Sequence, residues 1–246
     1  MRRIAALVVG LALALAVGTA LLLGLCVVGG RADWWDFRTG FLLFRVTLFG
    51  GLAAAVVALA GLVLAALARA GRTALLALGA LALLGVVGAG PLMQLRAAGR
   101  VPPIHDISTD LQDPPRFVAL LPRREGAPNA AEHAGGAVAA QQRAGYPDLG
   151  PAHVSAPPER VFARALDVAR RLGWEIVAAA PAEGRIEATD RTRWLSFRDD
   201  VVVRVRPDRE GSRVDVRSVS RVGRSDLGTN ARRIRAFLDA LRATPP

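Results

Sequence analysis

The stretch from Ile4 to Gly30, I-A-A-L-V-V-G-L-A-L-A-L-A-V-G-T-A-L-L-L-G-L-C-V-V-G-G, holds 27 residues and no charge. About 20 apolar residues cross the ~30 Å hydrocarbon core of a bilayer as a helix. Within one segment, only a helix satisfies its own backbone amides in lipid. Arg2 and Arg3 give the run a charged start. Its length exceeds the roughly 7–15-residue core of a cleavable signal peptide, so it is expected to stay as an anchor. Leu25 stands before Cys26, where a lipoprotein acceptor would follow a small residue.

Two further runs lie outward of this one. Val46 to Ala68 is uncharged, with Phe41 to Phe44 as an apolar lead-in, and Ala74 to Leu95 is uncharged. The expected spans are about 4–30, 44–68 and 74–95, so residues 1–98 form a transmembrane region. Arg45 would cost roughly 2.5–3.5 kcal/mol at a helix centre, but near a helix end it can snorkel to the headgroups. Trp34, Trp35 and Phe37 fall where an interfacial aromatic belt belongs. Arg69 to Thr73 is a tight turn, so the second and third helices should form a hairpin. Small residues at Gly10, Ala12, Ala14, Gly18, Gly79, Gly85 and Gly88 read either as close helix contacts or as plain composition. No Asp, Glu, His or Lys lies within a span, which argues for anchoring and against transport.

Composition separates the two halves of the chain. Overall the chain is 52% hydrophobic, with a formal net charge of +11 over 246 residues. Residues 1–98 carry 8 Arg and 2 acids, and residues 99–246 carry 24 Arg and 19 acids. Every basic residue is Arg. Arg pairs bidentately with phosphate and carboxylate, yet no helix-turn-helix, zinc-finger or RNA-binding signature accompanies it, so no nucleic-acid partner is expected. Cys26 is the single cysteine, which excludes an intramolecular disulfide and a Cys-x-x-Cys metal site. No cofactor or metal is implied.

Beyond the spans, residues 99–145 read as a proline-rich extended segment followed by a mobile linker over Pro122 to Gly145. The compact unit is expected from Tyr146, over residues 146–246. Pro157 and Pro158 open a helix with Ser155 as a nearby cap. Its apolar face is Val161, Phe162, Ala165, Leu166, Ala169 and Leu172, and Gly173 ends it. Four strands follow: Trp174 to Ala179, Arg185 to Thr192, one carrying Val201, Val203 and Val205, and one carrying Val214 and Val216. A last helix is expected from about Asp226 to Ala243. The fold class is therefore three transmembrane α-helices plus an α+β domain of helix, four-stranded antiparallel sheet and helix. Both helices should cover one sheet face. The other face, with Arg204, Arg206, Arg213 and Arg217, must be solvated or bind something.

Four stretches carry a family resemblance. They are I-H-D-I-S-T-D-x-x-D-P-P-x-F at Ile104 to Phe117, Y-P-D-L at Tyr146, F-R-D-D-V-V-V-R-V at Phe197 to Val205, and S-R-V-G-R-S-D-L-G-T-N-A-R-R-I at Ser220 to Ile234. In this order they resemble the bacterial family catalogued as domain of unknown function 1499, over about Pro102 to Leu241. The resemblance implies no activity. Exported members of the family favour an outside location for the domain here, and the three apolar runs make the expected protein a multi-pass one of the bacterial cytoplasmic membrane. Arg2, Arg3, Arg69 and Arg72 on one side balance Arg31, Arg38, Arg96 and Arg100 on the other, and the free amino terminus tips the N-terminus inward. Three crossings then place the domain in the periplasm.

Three groups of residues are candidate sites. Arg221, Arg224, Ser225, Asp226 and Asn230 lie where the last strand meets the last helix. Helix-end amides beside two arginines would hold an anion, or else Ser225 or Asp226 caps the helix and the arginines pair with acids. Asp199 and Asp200 could share a proton or bind a cation, or pair with neighbouring arginines. His105, Asp106 and Asp110, with Ser108, supply the residue types of a triad without its nucleophile elbow; a turn is the other reading. The function expected is a membrane-anchored envelope module that binds a protein, acidic lipid or small anion. The alternative is a tethered hydrolase using Asp199, Asp200 and His105.

Overall fold

The computed structural model describes residues 1–99, 101–192 and 196–243, so Arg100 lies outside the described residues. Two compact units divide the chain, one holding Met1–Arg96 and the other beginning at Ala97.

The first unit is three helices: α1 (Arg2–Arg31), α2 (Phe37–Leu67) and α3 (Gly71–Ala98). All three are long and apolar enough to cross a membrane by length and composition. Asp36 starts α2, its carboxylate accepting the Thr39 N–H at 2.9 Å. The buried positions of α1 are Ala5, Val9, Ala12, Ala16, Thr19, Leu23, Cys26 and Gly29. Steps of four and three residues keep one seam facing a neighbour in a left-handed pair. α2 answers with Thr47, Ala54, Ala58, Gly61 and Ala65. The short connection makes the pair antiparallel. Its register sets Cys26 beside Thr47 and Val9 beside Gly61, where an added Cβ would lie 2.7 Å from a Val9 methyl. Small residues admit this close approach.

The sequence left open whether its other small residues mark close helix contacts or plain composition. Gly10, Gly18, Gly79 and Gly85 have nothing within 4 Å of an added Cβ, so they face outward. The tight turn joins α2 to α3 as expected, but the small-residue seam runs between α1 and α2. Ala80 of α3 joins Ala12, Ala16 and Ala58 in its core.

The second unit has a six-stranded sheet, not the four strands expected. The strands are β1 (Asp106–Ser108), β2 (Ala152–Val154), β3 (Glu175–Ala180), β4 (Arg185–Arg191), β5 (Arg198–Asp208) and β6 (Gly211–Ser220). Their order is β1-β6-β5-β4-β3, with β2 also on β6, and every pairing is antiparallel. β1 and β2 are three residues each, too short for alternation to show. They share the outer edge of β6, pairing with 217–219 and 212–214. Gly184 closes the β3–β4 turn at φ +61°, where a side chain would meet the Val205 carbonyl.

Helices α5 (Pro158–Arg171) and α6 (Thr229–Ala243) cover one sheet face. Pro157 is the cap position of α5 and no side chain caps it, so Ser155 does not serve there. Val161, Phe162, Ala165, Ile234, Phe237 and Leu241 pack on Val201, Val203, Val205, Val214 and Val216. Trp174 stacks on Phe237 with centroids 5.2 Å apart. Each such buried large side chain is worth about 1.5–3 kcal/mol.

Residues 122–145, expected as a mobile linker, contain a 3-10 turn (Pro122–Arg124) and α4 (Gly136–Gly145). Gln142 fixes α4 to the sheet edge. Its side-chain carbonyl accepts the Ser108 N–H at 2.9 Å, and its amide donates to the Ser108 carbonyl at 2.6 Å. One amide side chain thus mimics a neighbouring strand.

Candidate functional site

Opposite the helices, the sheet face carries arginines from alternate positions of β5 and β6. The sequence left this face solvated or ligand-bound; the structure covers it with residues 109–135, a strap of the chain itself. The strap supplies part of the counter-ions, and the sheet supplies the rest. Arg204 reaches Asp110 and Asp113 at 3.2 and 3.0 Å, and Arg213 reaches Asp110 at 2.8 Å. Asp215, fully buried on β6, accepts from Arg204, Arg206 and Arg213. Arg217, only 2% exposed, holds Asp106 bidentately at 2.9 and 2.8 Å. Its Nη1 and Nη2 also donate to the Pro115 and Ala131 carbonyls, so it ties both arms of the strap.

Two buried carboxylates complete the attachment. Glu187 accepts the N–H groups of Val118, Ala119 and Leu120 at 3.0, 3.0 and 2.8 Å and pairs with Arg185. Asp200 holds Arg124 at 2.6 Å and Arg221 through two bonds of 2.8 Å, and accepts the Thr189 hydroxyl at 2.7 Å. Charged hydrogen bonds of this kind are about twice as strong as neutral ones. At Asp110, burial raises the carboxyl pKa. The Asp113 and Gln112 amides and the Arg213 and Arg204 guanidiniums outweigh it, and the net direction is down.

The acidic pair does not converge. Neighbouring residues on a strand point to opposite faces. Asp200 goes to the strap, while Asp199 goes to the helix face and meets Arg233 at 2.7 Å. Burial pushes the Asp199 carboxyl up, opposed by Arg233. Arg233 also holds Asp190. His105 contributes its backbone carbonyl to Ser220 and Asn230. Asp106, Asp110 and Ser108 serve the strap and its turn, since Ser108 Oγ donates to the Asp110 carbonyl. His105, Asp199 and Asp200 are not brought into one cleft.

At the expected anion loop, the chain fills its own site. The Asp226 carboxylate accepts the Gly228 and Asn230 amides at 2.8 and 2.7 Å, capping α6. Its burial raises its pKa. Ser225 accepts the Leu227 N–H, and Asn230 is buried between His105, Ser218 and Ser220. Arg221 is committed to Asp200. Arg224 alone of the group is exposed.

What the strap leaves open is a cleft of about 420 Å³, lined by Pro114, Arg116, Phe117, Leu121, Ala131, Glu132, His133 and Arg217. Phe117 roots it in a small core with Leu120, Val202 and Val219. The Arg217 and Arg124 guanidiniums lie 5.3 and 5.5 Å from the Phe117 centroid. His133 Nδ1 accepts the Gly135 N–H at 3.1 Å, while its Nε2 is buried without a partner among the described residues. Sequence reading passed over this cleft because His133 stood in a presumed linker and Phe117 looked like a plain apolar residue. The spacing of Asp106, Asp110 and Asp113 against the arginines of β5 and β6 was the available signal. No cluster of three or more metal-ligating side chains occurs among the described residues.

Comparison with known proteins bears on the same residues. A family model described as a protein of unknown function (DUF1499) matches residues 106–241, which take in the strap, the sheet and α6. No curated protein matches the chain.

Proposed function

The chain belongs to the DUF1499 family, and from that premise we propose a membrane-anchored envelope module whose α+β domain binds a partner and does no chemistry on it. One observation carries this reading. The carboxylates that a hydrolase would need are held by the chain itself: Asp106 by Arg217, Asp110 by Arg213, Asp199 by Arg233, and Asp200 by Arg124 and Arg221. A general acid or base must reach substrate within hydrogen-bond distance, and these groups already spend their lone pairs inside the fold. A scaffold tied together by these ion pairs, with an open cleft beside the strap, suits recognition.

Three helices of sufficient length and hydropathy support the anchor. In this reading the protein sits in the bacterial cytoplasmic membrane with its domain in the periplasm. Arginines flank the helices about equally on both sides, so flanking charge favours neither orientation strongly. A C-terminal fusion to a reporter enzyme active only in the periplasm is expected to be active, and inactivity reverses the orientation. Crosslinking in the native membrane tests the binding role directly. It is expected to capture a partner on the domain. A domain that yields no adduct from photoreactive groups placed around the cleft overturns it.

A further inference from the structure

We propose that the strap cleft binds an anionic group, carboxylate or phosphate, carried on an apolar body. This deepens the binding-module reading and rests on it. The polar side-chain atoms that Arg116, His133 and Arg217 bring to the cleft are all donors. Arg116 is exposed and has no partner among the described residues. His133 Nδ1 is occupied as an acceptor, so the proton of the neutral ring sits on Nε2. That buried donor has no acceptor among the described residues, a state that costs about 1–3 kcal/mol. Desolvation lowers the His133 pKa, in keeping with the neutral ring. Arg217 Nη1 gives one of its hydrogens to Pro115, and the other has no acceptor among the described residues. These donors match a ligand that only accepts.

The walls set the rest of the ligand. Pro114, Phe117, Leu121 and Ala131 present apolar surface, and Val118 and Leu121 stand 53% and 43% exposed on the strap. At about 420 Å³ the cleft falls within the usual range for small-molecule sites. Glu132, the acid of the lining, is exposed and opposes an anion, so it serves as an internal control.

The test is titration calorimetry on the full chain in phosphatidylcholine nanodiscs, with empty nanodiscs as blank. The probes are phenyl phosphate, benzoate and benzyl alcohol. Phenyl phosphate and benzoate are expected to bind, and benzyl alcohol to bind at least tenfold more weakly. Arg116→Glu should weaken the anions at least tenfold, His133→Phe about tenfold, and Glu132→Gln should strengthen them a few-fold. Arg116 is exposed, so its variant tests the site without touching the core. Equal binding of benzyl alcohol, or unchanged affinity in Arg116→Glu, overturns the proposal.

Adding phosphatidic acid to the nanodiscs separates the sources. Displacement of phenyl phosphate assigns a lipid headgroup, and undiminished binding assigns a soluble anion; both outcomes support the anion site. Partner capture by Arg116→Glu at wild-type yield, together with failed titrations, would remove the anion site while leaving the binding module standing.

Discussion

Between α1 and α2 the buried positions are mostly small, alanine, glycine and threonine with Val9, Leu23 and Cys26; between the sheet and its strap a small apolar core around Phe117 and Leu120 is ringed by buried arginine, aspartate and glutamate. The helix pair is held by shape, since small side chains let backbones approach and dispersion contacts accumulate. The strap is held by charge, and each buried ion has its partner in place. The difference predicts how each unit breaks. A shape-held seam fails when a side chain grows. A charge-held strap fails when one member of a pair is deleted, because the other is left buried and alone.

The largest effect should come from Arg217→Met. Asp106 would then lie buried without its guanidinium, and the Pro115 and Ala131 carbonyls would lose a donor. Breaking a buried pair from one side costs about 3–5 kcal/mol. Thermal unfolding of the full chain in detergent, followed by near-ultraviolet circular dichroism of Trp174, should show a large drop in the domain transition. The double variant Asp106→Leu with Arg217→Met should recover much of it. A double variant as unstable as the single one would mean that the strap depends on the arginine's carbonyl contacts and not on its charge.

Next in size is Gly61→Leu. The added carbons would meet Val9, and overpacking costs about 1–3 kcal/mol. Disulfide trapping between cysteines placed at Ala12 and Ala58 reads the seam. Trapping should fall in the variant while the domain transition stays in place. A domain transition that shifts as far as the seam would erase the contrast between the two units.

Much of this contrast was legible in the sequence, and the illegible part has a physical cause. The apolar runs, α5, α6 and the β5–β6 hairpin announced themselves because periodicity accumulates over ten or more residues. β1 and β2 were invisible because three residues carry no period. They exist because β6 offers them an edge. α4 was hidden because its composition, A-V-A-A-Q-Q-R-A, has no apolar stripe, and its place depends on Gln142 meeting Ser108. The arginine face was read correctly as a row of charges and then left without partners. Asp106, Asp110 and Asp113 stand about a hundred residues away, and only the fold reveals that pairing. Glu187 shows the same limit. It looks like any charged residue in an alternating strand, yet it caps three backbone amides of the strap.

A smaller effect separates the units by pH. The folded-state pKa of Asp110 lies below the ordinary carboxylate value. Its ionised form therefore adds stability above the unfolded value, ~4, and that contribution disappears as pH falls through the folded value. The domain transition should drop on acidification below about pH 4, and Asp110→Asn should flatten that drop. The α1–α2 seam contains no acid, so the distance between spin labels at positions 12 and 58 should stay unchanged across the same range. A seam that loosens in parallel would tie the two units together energetically.

The smallest effect sharpens the comparison from the other side. Gly10 and Gly85 look as suited to helix packing as Gly61, yet an added Cβ at either meets nothing within 4 Å. Gly10→Leu and Gly85→Leu should leave trapping between positions 12 and 58 unchanged, and each should alter stability by no more than about 0.5–1 kcal/mol, toward greater helix stability. If either substitution weakened trapping as Gly61→Leu does, the glycine would be working against a second copy of the chain or a partner helix. The outward face of the helices would then be an interface held by the same small-residue fit that joins α1 to α2.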